Sequence, residues 1–209
     1  MKSDDLLLYA VTDRMWLGER TLCEVVEDSL KGGVTIVQLR EKELDYDKFL
    51  QEAAEIGELC HRYGVPFIVN DEVEIAIKSD ADGVHIGQDD ADAKEVRKAI
   101  GDKILGVSVQ TVEQAKKAVA DGADYLGVGA VFPTSTKSDA CDVPYDVLCD
   151  ICRSVDIPVV AIGGINKGNM LQLRGSGIKG VALVSAIYAA DDIEEECKQL
   201  RELAIDMVG

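Results

Sequence analysis

The sequence predicts a closed barrel of eight parallel strands, a (β/α)8 TIM barrel that forms a single domain over residues 1–209. Two features carry this prediction: short apolar runs rich in β-forming residues, and amphipathic, charged stretches of about 10 to 18 residues between them. Strands that alternate with helices pair in parallel and are joined by right-handed crossovers. The length of 209 residues lies near the lower limit of about 200 for this fold. A doubly wound open sheet is the alternative.

Eight apolar runs are the candidate strands. They are Leu6–Val11, Thr35–Leu39, Pro66–Val69, Gly83–Ile86, Ile104–Val107, Tyr125–Val128, Pro158–Ile162 and Gly180–Val184. The runs are predominantly apolar and do not alternate regularly with polar residues, which is the pattern of strands buried on both faces.

Stretches with helical periodicity separate these runs. They are Thr21–Lys31, Tyr46–Tyr63, Asp92–Ile100, Val112–Ala120 and Tyr145–Val155. Glycines follow several of them, and Thr111 with Gln114 forms a candidate capping box. A weak internal repeat leads into four of the runs: Gly33-Val-Thr-Ile, Ala81-Asp-Gly-Val-His-Ile, Gly122-Ala-Asp-Tyr-Leu-Gly-Val and Gly177-Ile-Lys-Gly-Val.

The composition predicts an acidic, globular, cytoplasmic protein. Apolar residues make up 47%, and 22 basic against 39 acidic residues leave a net charge of −17. This charge repels nucleic acid, and no apolar run reaches the roughly 18 residues of a membrane span, so we expect neither partner. Without a signal peptide, we expect reduced cysteines, with Cys149 and Cys152 as packing or surface thiols. The acidity serves solubility or suits a salty cytoplasm, and composition leaves both open.

Polar residues follow nearly every apolar run, where barrels of this class place their chemistry. The second run leads into Gln38, Arg40 and Lys42, which would project to one face if the strand continued. Arg offers a planar fork for phosphate oxygens, and Lys adds a point charge. In so acidic a chain, these two cations predict an anionic substrate. The alternative is a pair of surface ion pairs with Glu41 or Glu43.

Two carboxylates follow the third and fourth runs. Asp71 and Asp90 would therefore lie on neighbouring strands of a barrel and could share a hard cation. Mg²⁺ often takes one or two carboxylates and leaves its other positions to water and substrate phosphate. The alternative is that both residues are helix N-caps. Asp89 is a rival metal ligand.

A second anion site is predicted after the last two runs. Gly163-Gly164 and Val184-Ser185 occupy the place where barrels commonly bind phosphate through backbone N–H groups and a helix N-terminus. Alternatively, the glycines serve only a tight turn. The longest predicted loop adds three hydroxyls and a cation: Thr134, Ser135, Thr136 and Lys137. Two anion sites, one with a metal, suit an enzyme that joins two phosphorylated molecules.

Other reactive residues indicate no different chemistry. His85 lies inside the fourth run, and we expect it to be packed or hydrogen-bonded. The sequence shows neither a Ser-His-Asp constellation nor a dinucleotide-binding glycine fingerprint after the first run.

These residues resemble the thiamine-phosphate synthase family, also called thiamine-phosphate pyrophosphorylase. The motifs of that family occur in order from Tyr9 to Ile187: Gln38-Leu-Arg-Glu-Lys42, Asn70-Asp71, Gly83-Val-His-Ile-Gly-Gln-Asp-Asp90, Gly106-Val-Ser108, Pro133-Thr-Ser-Thr-Lys137, Ile162-Gly-Gly-Ile165 and Val184-Ser185. The resemblance implies a transferase that condenses 4-amino-2-methyl-5-(diphosphooxymethyl)pyrimidine with a thiazole phosphate. The products would be thiamine phosphate and pyrophosphate, through a dissociative, Mg²⁺-assisted substitution.

The resemblance also implies a role for each site residue. The pyrimidine diphosphate would be bound by Gln38, Leu39, Arg40, Glu41, Lys42, Asn70, Ser108 and Lys137. Among these, Arg40, Ser108 and Lys137 would be catalytic, and Asp71 and Asp90 would hold Mg²⁺. The thiazole phosphate would be bound by Thr134, Ser135, Thr136, Gly164, Val184 and Ser185.

Two departures and three alternatives remain. The turn after the sixth run reads Gly129-Ala130 where the family more often has Gly-Pro, and Ser135 stands where Pro or Glu is also common. A related thiazole tautomerase would carry a histidine base after the fifth run, where this chain has Gln110. A phosphosugar isomerase or epimerase would need an acid/base pair, and a phosphate-binding module would need no metal pair. The partners implied are small phosphorylated substrates and, as a possibility, further copies of the chain in a homo-oligomer.

Overall fold

Eight parallel strands pair in chain order, and the last pairs with the first, so the sheet closes into a barrel. A computed structural model describes residues 3–88, 90–134 and 142–209. The strands are β1 (Leu8–Val11), β2 (Ile36–Leu39), β3 (Phe67–Asn70), β4 (Gly83–Ile86), β5 (Ile104–Val109), β6 (Tyr125–Val128), β7 (Val159–Ile162) and β8 (Gly180–Leu183). This architecture confirms the predicted (β/α)8 barrel over the open sheet.

Helices surround the barrel. They are α1 (Leu22–Lys31), α2 (Tyr46–Arg62), α3 (Val73–Lys78), α4 (Ala93–Ile100), α5 (Val112–Ala120), α6 (Tyr145–Ser154), α7 (Ser185–Tyr188) and α8 (Ile193–Val208), with 3-10 turns at Ser3–Leu6, Arg14–Trp16 and Met170–Leu173. The crossover between β7 and β8 has only the last of these turns and no α-helix. Five glycines between residues 163 and 177 explain this difference from a regular repeat, because glycine costs about 1 kcal/mol inside a helix.

The strands separate two apolar layers. Inside the barrel lie side chains that include Tyr9, Ile36, Ile68, Tyr125 and Val160. A larger layer fills the space between the strands and the helices. Every residue of β1, β2, β4, β6 and β8 is buried, which explains why these runs are predominantly apolar.

The weak internal repeat has a structural cause at the amino ends of the strands. Thr35, Asp82 and Asp124 each precede an even-numbered strand. Their side-chain oxygens accept hydrogen bonds from the first or second amide of the preceding odd strand, at 2.9, 2.8 and 2.8 Å. The repeat therefore marks where pairs of strands are tied together at the end of the barrel opposite the candidate site.

Helix termini follow the predicted signals. Thr111 and Gln114 form the expected capping box at α5, and Thr21 with Glu24 forms a second at α1. Cys149 and Cys152 are half-buried on α6. Within the described ranges, no helix combines the length and apolar character needed to span a bilayer.

Candidate active site

The carboxyl ends of the strands form one mouth of the barrel, and the candidate residues lie around it. Gln38 and Asn70 lie at the carboxyl ends of β2 and β3, and Ser108 lies near the carboxyl end of β5. Parallel pairing places all strand ends of one polarity on the same side, so the loops that follow them meet there. The structure therefore brings together side chains that are far apart in the chain, such as Gln38 and Ser108.

Arg40 and Lys42 lie in the loop after β2, because the strand ends at Leu39 and does not continue through them. The expected projection from one strand face is thus wrong. The ion-pair partners also differ from the predicted Glu41 and Glu43. Arg40 Nη1 donates to Asp13 Oδ2 at 3.1 Å, and Lys42 Nζ donates to Asp71 Oδ2 at 3.1 Å. Both cations therefore point towards carboxylates of neighbouring loops at the mouth.

Glu41 shapes the loop that carries these two cations. Its side chain is 2% exposed, and its carboxylate pairs with Arg14 from the loop after β1. The same carboxylate accepts backbone N–H groups of Lys42 and Glu43, each at 2.7 Å. Burial opposes ionisation, but these hydrogen bonds outweigh it and hold the pKa of Glu41 below its ordinary value. Leu39 is fully buried, so neither the Leu39 side chain nor the Glu41 carboxylate is exposed at the mouth.

Asp71 and Asp90 form the candidate metal pair. Their carboxyl groups are in hydrogen-bond contact, and Asp90 Oδ2 also accepts the backbone N–H of Gly87 at 2.7 Å. Burial raises the pKa of Asp71, and the neighbouring Asp90 raises it further, while Lys42 opposes both effects. Asn70 Nδ2 donates to the same Asp71 carboxylate. Two neighbouring carboxylates repel each other when both are charged, and a hard cation bound by both would offset that repulsion.

The alternative that Asp71 and Asp90 are helix caps is wrong. Asp92 caps α4, with Oδ1 accepting the amides of Lys94 and Glu95 at 3.0 and 3.3 Å. Glu72 precedes α3 and makes no side-chain cap. Asp71 instead has a left-handed backbone conformation, φ 62°, which residues other than glycine rarely adopt. Asp89, the rival ligand, lies outside the described residues.

A metal site on Asp71 and Asp90 would have two carboxylate ligands from the described part of the chain. No cluster of three or more His, Cys, Asp or Glu side chains suited to a metal occurs among residues 3–88, 90–134 and 142–209. Two carboxylates fit Mg²⁺, whose remaining positions commonly belong to water and substrate phosphate.

The loops after β6, β7 and β8 form the other side of the mouth. Gly164 has φ 65°, and a Cβ there would lie 2.4 Å from the Pro133 carbonyl oxygen. Only glycine therefore lets the two loops touch. Val184 and Ser185 lie where β8 leads into α7, a helix that no side chain caps. Thr134, in the loop after β6, is half-buried. Ser135, Thr136 and Lys137 lie outside the described residues.

Residues that the sequence analysis missed link Gln38 on β2 to Ser108 on β5. Gln38 Nε2 donates to the Tyr9 hydroxyl at 2.7 Å, and that hydroxyl lies 2.7 Å from the Tyr125 hydroxyl. His85 joins Tyr125 through Nδ1 and Ser108 Oγ through Nε2, both at 2.9 Å. The expectation of a hydrogen-bonded His85 is confirmed. The sequence did not indicate the two tyrosines as polar site residues, because each lies within an apolar run.

Comparisons with known proteins agree with this geometry. The profile of the family described as "Thiamine monophosphate synthase" matches residues 8–187. A thiamine-phosphate synthase of Ruminiclostridium cellulolyticum is 50% identical over 208 residues, 99% of each chain. One of Methanobrevibacter smithii is 51% identical over 191 residues, 91% of each chain.

The solved structure of the thiamine phosphate pyrophosphorylase from Pyrococcus furiosus superposes with a TM-score of 0.92. It is 36% identical, with 99% of both chains covered. Sequence and fold thus agree over nearly the whole chain, which belongs to the thiamine-phosphate synthase family of transferases.

Proposed function

We propose that this chain joins a 4-amino-2-methylpyrimidine, carried as its 5-(diphosphooxymethyl) derivative, to a thiazole phosphate, giving thiamine phosphate and pyrophosphate. One observation carries the proposal. In a chain of net charge −17, Lys42 pairs with Asp71 of the Asp71–Asp90 pair, and Arg40 of the same loop pairs with Asp13, at the mouth of the barrel. A cation cluster beside a candidate metal pair is the arrangement that a diphosphate requires.

The proposed roles on the diphosphate side follow from these contacts. Arg40 and Lys42 exchange their present carboxylate partners for diphosphate oxygens, and Asn70 adds an amide donor beside them. Mg²⁺ held by Asp71 and Asp90 would supply positive charge for the departing pyrophosphate. Ser108 and Lys137 complete this group of donors, Lys137 by family resemblance alone.

The substitution needs little covalent help from the protein. Departure of pyrophosphate leaves a pyrimidinylmethyl cation, which the thiazole nitrogen captures. The protein's task is to stabilise the leaving charge, to hold the two substrates in line and to exclude water from the cation. The apolar, tightly filled barrel interior below the mouth supports the last of these tasks.

The thiazole phosphate is assigned to the loops after β6, β7 and β8. Backbone N–H groups around Gly164, Val184 and Ser185 can bind phosphate oxygens without a charged side chain. Thr134 contributes a hydroxyl from the facing loop, and Ser135 and Thr136 are assigned there by resemblance.

The test is pyrophosphate release by the purified protein. The pyrimidine diphosphate is supplied with and without the thiazole phosphate, and with Mg²⁺ or EDTA. We expect release only when thiazole phosphate and Mg²⁺ are both present, with thiamine phosphate detected by mass. No release in any mixture would reject the proposal.

Two lysine variants separate the site from general charge. Lys42→Met should reduce release by about tenfold or more, since a hydrogen bond from a charged group is worth about 1.5–3 kcal/mol. Lys48→Met removes an exposed lysine that, among the described residues, pairs with Asp45 at the start of α2, and it should leave release unchanged. Equal effects of the two variants would contradict the assignment of Lys42.

A further inference from the structure

Five polar side chains from five different strands form one continuous chain of hydrogen bonds across the barrel. It runs from Gln38 on β2 through Tyr9 on β1, Tyr125 on β6 and His85 on β4 to Ser108 on β5. Its four links measure 2.7, 2.7, 2.9 and 2.9 Å. Its two ends, Gln38 and Ser108, are both residues assigned above to the pyrimidine substrate.

The orientation of the Gln38 amide determines which atom donates in each hydrogen bond of the series. Gln38 Nε2 can only donate, so the Tyr9 oxygen accepts and the Tyr9 proton goes to Tyr125. The Tyr125 proton then goes to His85 Nδ1, and neutral His85 must carry its proton on Nε2 and donate to Ser108. Burial raises the pKa of both tyrosines, so their hydroxyls keep these protons.

The ordered protons determine what each end of the chain presents to a ligand. Among the described residues, Gln38 makes no hydrogen bond through Oε1, which remains an acceptor. Ser108 Oγ accepts from His85, so its own proton remains to be donated. The site thus offers one acceptor and one donor of fixed identity.

We propose that Tyr9, Tyr125 and His85 are positioning residues whose ordered hydrogen bonds make the site select an aminopyrimidine over an oxopyrimidine. An aminopyrimidine carries an amino donor and ring-nitrogen acceptors, which complement Gln38 Oε1 and the Ser108 hydroxyl. An oxopyrimidine has a carbonyl acceptor in place of the amino group and a proton on a ring nitrogen, so its pattern is reversed. The proposal rests on the proposed function.

The surrounding strands are shaped to hold this chain. A Cβ at Gly106 would lie 2.2 Å from Tyr125 Cζ and 2.4 Å from His85 Nδ1, so the two rings occupy the space of a missing side chain. The same rings lie against each other with centroids 5.4 Å apart. Close packing of this kind fixes the orientation of both rings, as an ordered set of protons requires.

The direction of the chain can be measured without any substrate. The sequence has two histidines, so ¹⁵N-histidine labelling gives two ring systems, and His61→Gln assigns them. We expect neutral His85 with its proton on Nε2 at neutral pH. A proton on Nδ1, or an imidazolium, would overturn the proposal. Tyr125→Phe should shift the Nδ1 resonance of His85, and no shift would equally overturn it.

The selectivity is tested with the amino and oxo forms of the pyrimidine diphosphate. Tyr9→Phe frees the Gln38 amide to rotate, so the ratio of kcat/KM for the two forms should fall by about tenfold, the typical value of one hydrogen bond. Tyr188→Phe removes an equally buried hydroxyl from α7 that is not part of this series of hydrogen bonds, and it should leave the ratio unchanged.

The outcomes separate the two proposals. An equal loss on both pyrimidines in Tyr9→Phe would show that Tyr9 only supports packing, and would overturn the inference. If the wild-type protein releases pyrophosphate from neither form, the proposed function fails. The histidine spectra then still decide whether the protons are ordered as inferred.

Discussion

Three described cations at the mouth of the barrel each face a carboxylate from another element. Arg40 pairs with Asp13, Lys42 pairs with Asp71, and Arg14 bridges Glu41 and Glu52. If these residues bind a diphosphate as proposed, their side chains are already oriented before substrate arrives, which reduces the entropy lost on binding. In the proposed function, binding replaces some of these pairs, which would favour a substrate that brings both negative charge and a metal.

The Asp71 carboxylate is predicted to matter for metal-dependent turnover and not for folding. Asp71→Asn should lower kcat/KM at limiting Mg²⁺ by about a hundredfold or more, because metal stabilisation of a leaving group is worth several kcal/mol. The pKa of Asp71 is raised, so the folded protein already disfavours its charge. The variant should therefore unfold at the same or a higher temperature in the absence of metal.

Asp92→Asn is the matched control, because Asp92 caps α4 and asparagine caps a helix equally well. Titrations of activity against Mg²⁺ and thermal melts of both variants provide the measurement. Full activity of Asp71→Asn at limiting Mg²⁺ would refute the proposed metal site.

The Glu41 carboxylate is predicted to stabilise the protein in a pH-dependent way. Glu41→Gln should cost about 1.5–3 kcal/mol of unfolding free energy at pH 7, because it breaks a buried charged hydrogen bond to Arg14. The folded pKa is lowered, so this stabilisation is complete above the unfolded value of about 4.3 and is lost as pH falls through the folded pKa.

Denaturant unfolding at pH 7 and at about pH 3.5 measures the difference between Glu41→Gln and the wild type. Glu74→Gln, which alters an exposed pair with Lys78 on α3, should cost less than about 1 kcal/mol. A difference for Glu41→Gln that stays constant between the two pH values would rule out the charge as its cause.

At this scale, the sequence predicted the charged residues but not their partners. Arg40, Lys42, Asp71 and Asp90 stand out because charge directly after an apolar run is conspicuous. Asp13 lies after the first run, and its pairing with Arg40 depends on where two loops turn, which no local pattern encodes. Side-chain pairing across strands depends on register and loop path, and therefore had to come from the structure.

Elements were predicted most accurately where a local signal marks their ends. β4, β6 and α5 begin and end at the predicted residues, and α1 and α4 differ only in that Thr21 and Asp92 are caps. By contrast, the crossover from β7 to β8 lacks a helix because its glycines disfavour one. β5 extends to Val109, two residues beyond the apolar run, because strand pairing with β6 continues past the change in polarity.

Some strand positions require glycine because neighbouring side chains occupy the space that a Cβ atom would fill. Gly106→Ala should destabilise the protein by about 1–3 kcal/mol and abolish most activity, because the added methyl group overlaps Tyr125 and His85. Gly127→Ala is a graded control. Its Cβ would lie 3.1 Å from His85 Cε1, so a smaller cost is expected.

Denaturant unfolding and pyrophosphate release on both glycine variants test this difference. If Gly106→Ala were as stable and active as Gly127→Ala, the ring pair could not be the reason for glycine at position 106.

For the whole molecule, the excess of negative charge competes with many ion pairs. The chain has 39 acidic and 22 basic residues, so 17 acidic charges have no basic counterpart. Described pairs such as Lys198–Glu194, at 2.6 Å, lie on single helix faces, and exposed pairs of this kind contribute about 0–1 kcal/mol each. Repulsion among unmatched charges acts over longer distances, and salt therefore screens it first.

Raising the salt concentration should consequently stabilise the protein. Between about 0.01 and 0.15 M salt, the Debye length falls from about 30 to about 8 Å, which removes most long-range repulsion while close pairs persist. A gain of 1 kcal/mol corresponds to about 2–4 °C at this chain length, so we expect a rise of a few degrees in the metal-free protein. NaCl and KCl should act alike, since screening depends on charge and not on ion identity. A melting temperature that falls with salt would instead show that the ion pairs outweigh the net charge.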